Sequence, residues 1–149
     1  MLDALQLLST FCAAIFAGAA LYINLVEHPA RLTLETAAAV AHWAPSYQRA
    51  TMMQAPLAVA GALAALGVGV LGGGAIWLAA ATLIGAVVPF TLLGIMPTNQ
   101  KLLARDRDRT SPETRALLHT WGRLHAVRTG LSMMATALML WGLACRRWS

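Results

Sequence analysis

Residues 4–26 carry no formal charge and neither do residues 50–100, whereas charged residues crowd 27–49 and 101–128. The first uncharged run, about 23 residues, is long enough to cross a hydrocarbon core of about 30 Å at about 1.5 Å per residue. The second, about 51 residues or about 77 Å as one helix, has to fold back on itself. Gly72, Gly73 and Gly74 supply the turn. A further helix starts with Ser111 as N-cap, Pro112 at its first position and Glu113 in its first turn. Continued to Cys145 it is about 34 residues, or about 51 Å, so only about the last 20 need be immersed. The pattern therefore predicts spans over about 4–27, 50–71, 75–97 and 122–145, with the membrane boundary near His125 and Arg128 about one turn inside it.

Between the spans, TLETAAAVAHW at 33–43 lies between Pro29 and Pro45 and predicts a separate short interfacial helix over about 34–43. Pro29 is expected to stop the first span, and Pro89 to kink the third by leaving the Gly85 carbonyl without its helical donor. Gly61, Ala65 and Gly69 recur at intervals of four and make a small-residue face for close helix packing, within the bundle or in a homo-oligomer. KLLARDRDRTSPE mixes both charge signs and reads as a solvated connector. The expected fold is all-α: one transmembrane domain over 1–149, an integral membrane four-helix bundle.

Composition strengthens that picture. The chain is 58% hydrophobic and 11% charged, against about 25% charged in soluble domains, and its mean hydropathy is +0.63. A lipid bilayer is thus its expected partner. The net charge of +5 raises nucleic acid as a partner, but the basic residues sit between apolar runs, where they act as topology signals instead. Nine of the 11 Lys and Arg belong to the first and third connections and their edges, with Arg146 and Arg147 opposite. The positive-inside rule then places both connections in the cytoplasm and both termini outside, in a bacterial inner membrane. Trp43, Tyr47 and Trp121 are expected near the cytoplasmic boundary, and Trp77, Trp141 and Trp148 near the outer one, as aromatic belts. Cys12 and Cys145 occupy separate apolar runs without CxxC spacing, which indicates neither a disulfide nor a thiolate metal site. The N-terminal apolar run has no Lys or Arg before it and outlasts a signal-peptide core, so it is read as a retained span.

This topology brings polar residues from all four spans to one depth. Glu27 and His28 end the first span, Tyr47 and Arg49 precede the second, Asn99 follows the third, and Trp121, His125 and Arg128 share one face of the fourth at i, i+4 and i+7. An arginine inside the boundary needs an anion, and Glu27 is the acid at its depth; the pair locks two spans together or belongs to a substrate site, unless Arg128 snorkels to the headgroups. His28 and His125 suit a general base and its orienter near neutral pH. With Glu27 they also compose a two-histidine, one-carboxylate metal set, although adjacent Glu27 and His28 point about 100° apart on a helix. His42 and His119 read as boundary residues.

LYINLVEHPAR, MPTNQKLL and the Trp121, His125, Arg128 triplet together resemble the anthrone oxygenase-like family of small four-span membrane proteins, also grouped as DUF1772, over roughly residues 18–128. The resemblance implies a membrane oxidoreductase acting on an anthrone- or quinol-like hydrophobic small molecule, with His28, Pro29, Pro97, Asn99, Trp121, His125 and Arg128 as shared motif positions. It leaves the cofactor open, because a deprotonated anthrone reacts with oxygen given only a base and an oxyanion donor. In that scheme His28 or His125 is the base, Arg128 and Asn99 stabilise the oxyanion, and Tyr47, Trp121 and Glu27 line the substrate. The alternative is a non-enzymatic membrane protein: a binding or carrier module, or an assembly partner. Polar groups gathered at one face rather than at the midplane argue against a carrier.

Overall fold

The computed structural model describes residues 1–145; Arg146, Arg147 and Trp148, which the sequence places at the outer end, lie outside the described residues. About 90% of the chain is helical, and no strand occurs among the described residues. Four helices are long and apolar enough to cross a membrane, which fits an integral membrane protein: α1 (Leu2–Arg31), α2 (Thr36–Gly73), α3 (Ala75–Leu103) and α4 (Pro112–Cys145). Each packs on its predecessor, and α4 closes the ring onto α1.

The turns follow local chemistry. Gly72 and Gly74 have φ of 92° and 94°, the left-handed region that side chains disfavour, so the three glycines turn α2 into α3 where the sequence puts them. Gly69 serves close approach instead, because a Cβ there would overlap Leu78 of α3. At the start of α4 the Ser111 hydroxyl accepts from the Thr114 amide at 3.2 Å, the expected N-cap, with Pro112 as the first helical residue. In the same connector the Thr110 hydroxyl and amide donate to Asp108 and hold its carboxyl below the usual carboxylate range. Arg115 of α4 reaches across to donate to the Leu32 and Leu34 carbonyls at 2.7 and 2.9 Å, closing off the end of α1.

Several prolines behave differently from expectation. The helical path continues past Pro29 to Leu32 rather than stopping, and past Pro97 to Leu103. In both helices a widened turn comes immediately before, with the His28 amide bonded to the Ile23 carbonyl and the Met96 amide to the Thr91 carbonyl, each five residues back. A proline ring breaks a helix by striking the carbonyl of the preceding turn, and widening that turn relieves the contact. Pro45 likewise lies inside an unbroken helix, Thr36–Val68, so residues 36–43 form no separate interfacial helix but are the first turns of α2. Alanine-rich sequence and the complete burial of Trp43 outweigh the hydrogen bond the proline removes.

Two apolar clusters fill the bundle. One, around Phe16, Ala65, Trp77, Ile84 and Met139, occupies the half nearer the glycine turn; the other, around Val40, Trp43, Leu102, Leu118 and Trp121, occupies the opposite end. Trp43, Trp77 and Trp121 therefore belong to the core, not to lipid-facing belts, whereas Trp141 is 65% exposed. The Gly61, Ala65, Gly69 stripe is also internal: a Cβ on Gly61 would sit 3.3 Å from Cys12 of α1, so the face packs α2 within the bundle and is not free for a second copy. Between the clusters lies a polar layer of Asn24, His28, Gln54, His125, Arg128 and Thr129. Counted at about 1.5 Å per residue from the opposite helix ends, Asn24, Gln54 and His125 lie about 33, 28 and 30 Å along their helices, one hydrocarbon thickness from the glycine-turn end.

Candidate functional site

Asn24, His28 and Arg31 follow i, i+4, i+7 spacing on α1, so they share the face turned towards α4 and α2. Arg31 is the hub of this face. Its guanidinium pairs with Glu27, donates to Ser46 Oγ at 3.3 Å and to His42 Nδ1 at 3.2 Å, faces His28 Nδ1 at 3.3 Å and lies 5.9 Å from the Trp121 ring centre. Ser46 also donates to Glu27. The carboxylate expected to neutralise Arg128 is thus taken by an arginine one turn along its own helix. Intrahelical i, i+4 geometry is the reason, since it brings the two groups together without any tertiary contact.

His28 is held from both sides. Its Nδ1 faces Arg31, its ring meets Trp121 at 5.0 Å between centres, and its Nε2 lies against the α4 backbone, where a Cβ on Gly122 would come within 2.5 Å. His125 is arranged otherwise. Its Nδ1 is 2.8 Å from Asn24 Oδ1, an atom that also accepts from the Thr129 hydroxyl, while Asn24 Nδ2 donates to the Gly122 carbonyl at 3.1 Å. Those contacts fix the amide so that its oxygen faces the ring, which makes Nδ1 the protonated nitrogen and leaves Nε2 as the lone-pair atom. Trp121 stacks on the same ring at 4.9 Å, and Trp43 and Tyr47 continue the aromatic column.

Arg128 completes the layer. Its guanidinium donates to Gln54 Oε1 at 3.0 Å and lies 5.3 Å from the centre of the Phe16 ring, with Nε unpaired. Among the described residues no carboxylate pairs with it; a neutral amide and an aromatic face offset its charge in part. His125 and Arg128 line a chamber of about 10 Å³ with Ser46, Tyr47, Thr51, Gln54 and Trp121, room for about one water. Two larger spaces share its walls. A groove of about 920 Å³ opens between α1 and α2 and meets the chamber at Ile23, Ser46, Ala50 and Gln54. A cavity of about 130 Å³ between α2 and α3 meets it at Tyr47, Thr51 and Arg128.

Of the residues singled out in the sequence, Tyr47, Trp121, His125 and Arg128 meet at the chamber, and Glu27 lines the adjoining groove. Asn99 is fully buried with both amide atoms unpaired, and it lines none of the three spaces. Glu27, His28 and His125 do not form a metal set: among the described residues no three His, Cys, Asp or Glu come together, and Arg31 occupies the carboxylate. Asn24, Arg31 and Gln54 are additional. Gln54 had a signal, as the sole amide side chain between Arg49 and Asn99, and a buried amide in hydrocarbon demands a partner.

A family model described as Anthrone oxygenase matches residues 43–138, more than half of the chain. The match covers most of α2, all of α3 and most of α4, so Trp121, His125 and Arg128 lie inside it and the LYINLVEHPAR stretch lies before it. No curated protein and no solved structure matches the chain.

Proposed function

Because this chain belongs to the anthrone oxygenase family, we propose that it is a membrane oxidoreductase that oxidises an anthrone- or quinol-like hydrophobic molecule with dioxygen at the Asn24, His125, Arg128 layer. The observation that supports this most is the Asn24 to His125 contact, which leaves Nε2 as the proton acceptor of a residue lining a chamber shared with an arginine that has no carboxylate partner among the described residues. His125 Nε2 takes a proton from the ring methylene of a molecule in the groove through the one water the chamber holds, and the charge moves to the ring oxygen as an enolate. Arg128, supported by Gln54, stabilises that oxygen. The enolate carbon adds dioxygen to give a hydroperoxide, which loses water: one oxygen atom stays as the new carbonyl and the other leaves in the water.

The base is assigned to His125 rather than His28, whose ring nitrogens face Arg31 and Gly122. The organic substrate is assigned to the α1/α2 groove, whose volume lies within the range of about 300–1,000 Å³ usual for small-molecule sites. The basic connections argue that this end faces the cytoplasm, so that the substrate arrives from the inner leaflet. The test is dioxygen uptake by the purified protein with an anthrone or a hydroquinone. Uptake is expected with one of them and its loss in His125→Ala, with helical content unchanged; equal turnover in that variant removes His125 from the chemistry.

A further inference from the structure

The chamber touches two spaces of unlike size on opposite sides of α2, and one substrate of the proposed reaction is a gas. The α1/α2 groove, about 920 Å³, carries Glu27, His42 and Arg49 among its walls. The α2/α3 cavity is about 130 Å³, with apolar walls from Phe16, Ala58, Val87 and Leu92, and its polar lining residues are Thr91 and, where it borders the chamber, Tyr47, Thr51 and Arg128. A three-ring molecule does not fit in it. A largely apolar cavity of about this size takes up xenon or a single small ring, and dioxygen, like xenon, partitions into hydrocarbon in preference to water. Leu92 is 56% exposed on the outer surface of the bundle, which puts one wall of this cavity where lipid tails lie.

Resting on the proposed oxidation, we infer that the α2/α3 cavity is a dioxygen site, fed from the bilayer and opening onto the chamber beside Arg128, while the organic molecule reaches the chamber from the α1/α2 side. Separate approaches place the gas on the Arg128 and Tyr47 side of the reacting carbon. They also keep a bound ring from blocking its co-substrate.

The test combines xenon with steady-state kinetics. Crystals of the unmodified protein under xenon pressure should show xenon between Ala58 and Val87, and Ala58→Phe, which fills the space, should abolish that site. The same variant should raise KM for dioxygen about tenfold and leave KM for the anthrone within about twofold. Leu63→Ala, at an exposed position of α2 that lines none of these spaces, is the control and should leave KM for dioxygen unchanged. An empty cavity under xenon overturns the inference, as does an anthrone KM that rises in place of the dioxygen KM. Absence of any turnover overturns the oxidase reading itself and the dioxygen role with it, a result distinct from turnover with an unchanged dioxygen KM.

Discussion

Asn24 Oδ1 lies 2.8 Å from His125 Nδ1, joining α1 to α4 within the bundle. The amide has no freedom to turn, because its nitrogen donates to the Gly122 carbonyl and its oxygen also accepts from Thr129. Asn24 thus acts on His125 as a positioning residue. Asn24→Ala should lower kcat about 100-fold, within the range attributed to general acid–base catalysis, while KM for the anthrone stays nearly unchanged. A fall in KM-dependent binding with kcat preserved would assign Asn24 to substrate contact instead.

Gly122 tests how tightly α1 and α4 are fitted. A Cβ at this position would lie 2.5 Å from His28 Nε2, whereas nothing lies within 4 Å of one at Gly130, two turns along the same helix. Gly122→Ala should destabilise the protein by about 1–3 kcal/mol through overpacking. Gly130→Ala should be neutral or stabilise it by up to about 1 kcal/mol through helix propensity. Thermal unfolding of both variants in one detergent measures the difference.

The ion pair beneath the aromatic column is asymmetric, with the Arg31 side chain 1% exposed and that of Glu27 20% exposed. Removing the acid leaves a buried cation; removing the base leaves a carboxylate that water can still reach. Glu27→Gln should therefore cost about 2 kcal/mol and Arg31→Met less than about 1 kcal/mol. Denaturation of the two variants decides it. An equal cost would mean that the pair behaves as an exposed one.

Gln54 borders both the groove and the chamber and supplies the oxygen that Arg128 donates to. Gln54→Leu keeps the volume and removes that acceptor. It should lower kcat/KM for the anthrone about tenfold, a loss of about 1.4 kcal/mol, without changing KM for dioxygen. Initial rates at varied anthrone and varied oxygen separate the two effects.

The architecture was legible because charge-free length and glycine chemistry dictate it. The spans, the Gly72 to Gly74 turn and the Ser111 cap follow from local rules that tertiary packing does not override. Trp121, His125 and Arg128 were legible as one helix face. The partners were not, because they depend on which side chain arrives first: Glu27 is claimed by Arg31 one turn away, and Arg128 is left to Gln54. Formal charge marks neither Asn24 nor Gln54, neutral amides that hold the His125 ring and the Arg128 guanidinium through hydrogen bonds. Pro29 and Pro45 misled for another reason, since widened turns and dense packing carry a helix through a residue that stops one in water.

The central claim is that His125 Nε2 removes the proton that starts the reaction, and anaerobic proton exchange tests it without the oxygen step. The protein is mixed with an anthrone in deuterated buffer under argon, and the appearance of deuterium at the ring methylene is followed by NMR. The account predicts exchange well above the rate without protein, abolished in His125→Ala and slowed about 100-fold in Asn24→Ala. Exchange no faster than the uncatalysed rate, or undiminished in His125→Ala, would contradict it.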